Sequence, residues 1–131
     1  MIGYVTVGTN DLDRARTYYD ALFESIGGRR LLQLEDQRGF TMYGVARNRP
    51  SVVVTRPYDG GEATAGNGNM CAIVMDSKAK VDAFHAKALE LGGANEGDPG
   101  YRGDPKFGYY FGYFRDPDQN KFAVFHISPQ G

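Results

Sequence analysis

At 131 residues, with 41% hydrophobic and 24% charged side chains, the chain reads as one soluble globular domain. A formal net charge of −1, with acidic and basic residues interspersed, excludes the basic footprint of a nucleic-acid binder, and no polybasic run points to a membrane surface. No apolar run is long enough to span a bilayer, Met1 to Val5 carries no secretion-type leader, and the single Cys71 cannot form an internal disulfide, so a cytoplasmic location is expected.

Ile2 to Val7 alternates as a strand, with Val5 and Val7 on one face and Tyr4 and Thr6 on the other. Asn10 and Asp11 are suited to cap a helix whose apolar positions Leu12, Ala15, Tyr19, Leu22, Phe23 and Ile26 end at a glycine stop. Leu31 to Leu34, Phe40 to Ala46 and Ser51 to Thr55 follow as strands, the last ended by Pro57. The glycine-rich stretch 58–68 has no period and reads as a linker between a first module (residues 1–57) and a second (69–131) of the same domain. Met70 to Met75 is then a strand and Ser77 to Leu91 a helix burying Val81, Phe84, Ala88 and Leu91. Gly97 to Lys106 is too rich in Gly, Pro and Asp for a clean strand. Tyr109 to Phe114 and Lys121 to Ile127 are the last two strands, joined by a turn over Arg115 to Asn120.

The chain therefore repeats itself. Setting Gly27 against Gly92 also sets Asp11 against Asp76, Tyr19 against Phe84 and Ile26 against Leu91. A duplicated β-α-β-β-β unit builds a pseudo-symmetric cavity between its halves, which is where function is expected.

Several sharper motif readings fail on context. Asp116, Asp118 and Asn120 alternate like a calcium loop, but the position that needs a bidentate glutamate holds Ile127 and no glycine follows Asn120. Gly66-Asn67-Gly68 leads into a strand rather than a helix, which removes a dinucleotide fingerprint. Neither histidine has a partner at ligand spacing. His85 reads as a partly exposed helix residue and His126 as a strand residue facing the helix layer. Cys71, inside an apolar run, reads as a packed thiol.

The Asp11-Leu12-Asp13-Arg14-Ala15 helix start followed by Tyr18-Tyr19, the Leu91-Gly92-Gly93 helix stop and the Phe114-Arg115-Asp116-Pro117-Asp118 turn resemble the vicinal oxygen chelate superfamily. That group contains glyoxalase I, bleomycin-resistance proteins and extradiol dioxygenases. The resemblance covers essentially the whole chain. It implies an α+β fold of two tandem β-α-β-β-β modules forming a curved mixed sheet around a cleft, with the helices on the outer faces. It also implies a homodimer.

In metal-using members, four strand positions supply ligands to one cavity. The corresponding positions here hold Tyr4, Val53, Met70 (or Asn69 with a slip of one) and Ala123, and Gln119 takes the turn's usual glycine place. Such residues do not assemble a site for a hard or borderline divalent ion, so no metal and no other cofactor are expected. What the resemblance leaves is a cavity of apolar and phenolic groups, expected from strand alternation at Tyr4, Thr6, Tyr43, Val53, Met70, Ala72, Tyr109, Tyr113, Ala123 and Phe125. The expected function is a metal-independent small-molecule-binding dimer with no nucleic-acid or membrane partner. The alternative is a lyase of the lactoylglutathione lyase (glyoxalase I) type.

Overall fold

A computed structural model describes residues 1–128 of the chain; residues 129–131, counted with the second module above, lie outside the described residues. The elements run β1 (Tyr4–Gly8), α1 (Leu12–Glu24), β2 (Arg29–Leu34), β3 (Phe40–Gly44), β4 (Ser51–Thr55), β5 (Cys71–Val74), α2 (Lys78–Glu90), β6 (Ala94–Tyr101), β7 (Tyr109–Arg115) and β8 (Lys121–Ile127), with a short 3-10 turn at Pro105–Phe107. They form two four-stranded sheets of identical topology, ordered β1-β4-β3-β2 and β5-β8-β7-β6. In each, the first strand lies parallel to the last and the other neighbours are antiparallel. This is the expected α+β architecture of two β-α-β-β-β modules.

Both helices span 13 residues and start from a side-chain cap, Asp11 accepting from Arg14 N and Ser77 from Lys80 N. The cap of α2 is therefore Ser77, one residue past Asp76, which the repeat sets against Asp11, and Asp76 pairs with Lys80 across one helical turn. Gly27 (φ 83°) and Gly92 (φ 112°) follow the helix ends in a conformation that side chains resist.

One face of each sheet packs on its helix, and the two helix layers share a core. Tyr19, Leu22, Phe23, Tyr43, Val52 and Val54 of the first module meet Phe84, Ala88, Phe114, Phe122 and Val124 of the second in a single buried cluster. The helices thus do more than cover the outer faces: Phe23 and Phe84 rings lie 6.3 Å apart, and Tyr18 Oη donates to Ala88 O at 3.1 Å. Gly93 permits this approach, since a Cβ there would sit 2.6 Å from Tyr18 Oη and 2.8 Å from Arg115 O.

Two expectations need correction here. The Gly97–Lys106 stretch contains most of β6, which pairs with β7 through two register shifts at Asn95/Gly97 and Gly97/Gly100. Those irregularities let Pro99 and two glycines, Gly97 and Gly100, join a sheet edge. His85 is 4% exposed, with Nε2 3.1 Å from Asn95 Oδ1 and 3.0 Å from Tyr113 O, and ties α2 to β6 and β7. In the β7–β8 turn Gln119, set above at the turn's usual glycine place, is left-handed (φ 73°).

Candidate functional site

Strand register assigns the expected cavity residues to faces, except Met70, which precedes β5. Thr6 pairs with Val53 and Val53 with Met42, while Tyr4 is two residues before Thr6, so these side chains share the face of the first sheet turned away from α1. Phe40 joins them, its ring 5.9 Å from that of Tyr4 at right angles. Tyr43 does not. It pairs with Val52 on the helix face, is 1% exposed, and donates its hydroxyl to Asp20 Oδ1 at 2.7 Å. A strand starting at Phe40 presents Phe40 and Met42 to the open face and turns Tyr43 inward.

In the second sheet, Ala72, Ala123 and Tyr113 share the open face by register, as do Val74, Phe125 and Phe111 one pair further on. Phe111 stacks on Phe125 at 4.9 Å and lies 6.1 Å from Tyr113, with the three rings nearly parallel. Arg102 and Lys121 both lie over the Tyr113 ring, at 5.3 and 5.4 Å. Tyr109 continues the face at 45% exposure beside Phe107. Val53 and Ala123 belong to the open faces but are wholly buried, so they form floor rather than contact surface.

The ten residues do not line one cavity within the chain. Tyr4 and Thr6 line a cavity of about 520 Å³ on the open face of the first sheet, roofed by residues 57–64. Thr6 and Met70, with Asn69 and Lys121, line a smaller one of about 400 Å³ at the seam between β1 and β5. Phe125 borders a third, open groove with Ile26, Val74 and Ile127.

The stretch 58–68 thus forms a wall as well as a connection. Asn10 grips it with a reciprocal pair, Nδ2 donating to Ala63 O at 3.0 Å and Oδ1 accepting from Ala63 N at 2.7 Å. Sequence reading missed this roof and its one strong cation, Arg38. Arg38 lines the 520 Å³ cavity with its guanidinium 4.8 Å over the Tyr58 ring. Its backbone is left-handed (φ 60°), held by Arg56 N donating to Arg38 O at 3.2 Å.

The turn Arg115–Asn120, read above against a calcium loop, is filled by protein donors. Asp116 accepts from Tyr19 Oη, Asp118 N, Asn120 N and Asn120 Nδ2. Asp118 accepts from Thr9 Oγ1 at 2.6 Å, Asn10 N at 3.0 Å and Arg14 Nη2 at 3.1 Å. Every one of those Asp118 donors lies in the first module, so the turn is a clasp between halves. Burial pushes the Asp116 carboxyl up, and the hydrogen bonds from Tyr19 and Asn120 only partly offset it.

The resemblance sets Tyr4, Val53, Met70 and Ala123 at metal-ligand positions. Val53 and Ala123 are buried hydrocarbon, Tyr4 and Met70 are half exposed, and no three His, Cys, Asp or Glu side chains converge among the described residues. Among those residues, too, no helix is long and apolar enough to cross a membrane.

The duplicated topology, the open faces and the clasp place the chain among paired β-α-β-β-β proteins. Its residues 1–124 match the Glyoxalase/Bleomycin resistance protein/Dioxygenase superfamily, and the chain belongs to that superfamily. A glyoxalase/bleomycin resistance protein from Albidiferax ferrireducens T118 is similar at 33% identity, with a TM-score of 0.81 over 96% of this chain and 98% of that one. A lactoylglutathione lyase from Agrobacterium tumefaciens shares the fold at 24% identity (TM-score 0.66; 96% and 92% covered). So does a glyoxalase/bleomycin resistance protein/dioxygenase family enzyme from Burkholderia phytofirmans PsJN at 17% identity (TM-score 0.71; 96% and 98% covered). No curated protein matches the chain.

Proposed function

We propose that the protein is a metal-independent small-molecule-binding member of its superfamily, a single domain that works as a homodimer. The observation that carries this reading is the state of the two open faces. Tyr4, Met70, Val74, Tyr109 and Ile127 are 51, 48, 69, 45 and 45% exposed, so the two faces do not close on one another within the chain. Apolar surface of this extent favours a partner of matching shape. A second copy offers one, the aromatic ladder of its second sheet facing the Tyr4–Phe40 wall of the first.

The cleft so completed has stacking surfaces on both sides, and aromatic pairs add about 0.5–1.5 kcal/mol each beyond burial. The lyase reading has a named relative in its favour, but it needs a metal centre that Val53 and Ala123 do not supply.

Sedimentation velocity with Tyr113→Ala and Tyr4→Ala tests the reading. The wild type is expected to sediment at twice the chain mass, and both variants to bind aromatic probes more weakly. A monomer at micromolar concentration whose binding ignores Tyr113 overturns it.

A further inference from the structure

We infer that the cavity under the linker holds an aromatic ligand by a carboxylate group, with Arg38 as the anchoring cation. The inference rests on the small-molecule reading above and specifies its ligand class. Arg38 Nε is a buried side-chain atom with no acceptor among the described residues, and no ion pair or hydrogen bond to the guanidinium occurs there either. With Nε shut away from solvent, the guanidinium has its Nη groups left for an acceptor in the cavity that Arg38 lines. Its planar fork matches a carboxylate in two parallel hydrogen bonds.

Position 38 is also one where the backbone disfavours arginine. The turn is left-handed there and the next residue is Gly39 (φ 75°), so glycine or asparagine would satisfy the turn alone. Strain retained at a cavity wall is the pattern of a working residue.

The rest of the cavity defines the ligand. Tyr4, Phe40 and Tyr58 offer three aromatic walls, and the volume of about 520 Å³ lies in the range of small-ligand sites (about 300–1,000 Å³). Asp59 and Glu62 line the same cavity, and Asp59 Oδ1 is already engaged by Gly61 N at 2.8 Å. Two carboxylates in the lining repel anions and disfavour polyanions such as nucleotides most, so the single carboxylate of a flat apolar ligand needs the Arg38 guanidinium as its partner.

Calorimetric titration with phenylacetate, phenylacetamide and phenyl phosphate tests this. Phenylacetate is expected to bind the wild type about tenfold or more tighter than the amide, the difference of a charge-assisted bidentate pair, and tighter than phenyl phosphate. Arg38→Gln is expected to erase the preference over the amide, and Arg38→Lys to retain part of it. Arg38→Gly, which fits the left-handed turn, is expected to fold normally and bind like the glutamine variant.

Tyr4→Ala separates the two readings, because it is expected to weaken acid and amide alike. If acid and amide bind equally and Arg38→Gly changes nothing while Tyr4→Ala still weakens both, the anchor is refuted and the cavity stands. If no probe binds at millimolar concentration, both fall.

Discussion

The Tyr19 hydroxyl of α1 donates to Asp116 Oδ2 in the β7–β8 turn, a buried contact that joins the two halves of the duplication. Around it, Asn120 Nδ2 donates to Gly8 O at 2.9 Å and Thr9 Oγ1 to Asp118 at 2.6 Å. The β7–β8 turn therefore acts as a fastener between the two modules.

Tyr19→Phe is expected to destabilise the protein by about 1.5–3 kcal/mol near neutral pH, the range for a hydrogen bond to a charged group. Burial already raises the Asp116 pKa, and Tyr19 is among the groups that lower it, so the variant's folded-state pKa rises further. A folded pKa above the unfolded value means stability is fully present below the unfolded pKa and lost as pH rises through the folded one. The deficit of Tyr19→Phe is thus expected to be largest at neutral pH and to shrink on acidification. Urea midpoints for both proteins across pH 4 to 7 check it; a deficit that grows toward acid contradicts it.

Gln119 occupies a left-handed turn position at φ 73°. That conformation costs a non-glycine residue about 1–2 kcal/mol, and glycine's greater unfolded-state entropy takes back about half. Gln119→Gly is expected to raise stability by a net ~0.5–1 kcal/mol, read as a higher urea midpoint at unchanged slope.

Gly93→Ala places a Cβ 2.6 Å from Tyr18 Oη, 2.7 Å from Ala88 O and 2.8 Å from Arg115 O. Two of those atoms are backbone and cannot swing aside, so a loss of about 1–3 kcal/mol is expected. Gly3→Ala, with no neighbour within 4 Å, is the control expected to leave the midpoint unchanged.

Asn10→Ala removes both hydrogen bonds that hold the linker at Ala63. Because residues 57–64 roof the first-sheet cavity, aromatic probes are expected to bind more weakly while the melting temperature changes little. Faster amide exchange confined to residues 60–65 is the accompanying signature.

The duplication and most of its elements were legible because each module repeats the same signals: an alternating strand, a capped amphipathic helix and a glycine stop. The two caps, Asp11 and Ser77, lie 66 residues apart and the stops, Gly27 and Gly92, lie 65 apart, so one uniform offset does not hold at both ends of the helices. The orientation of Tyr43 was not legible, since in a five-residue strand a one-residue shift reverses every side chain. Nor was β6, whose composition argues against a strand until two register shifts accommodate it. Arg38 and the linker roof were invisible for another reason. Their roles come from contacts between Asn10 and Ala63, and between Arg38 and Tyr58, that no local pattern encodes.

The central claim is a dimeric, metal-independent binding cleft, and native mass spectrometry with elemental analysis, before and after chelator treatment, tests it most directly. The account predicts a species of twice the chain mass without stoichiometric metal, and equal saturation by phenylacetate in both samples. Stoichiometric zinc, nickel or iron, with binding lost on chelation and regained when the ion is restored, would contradict it.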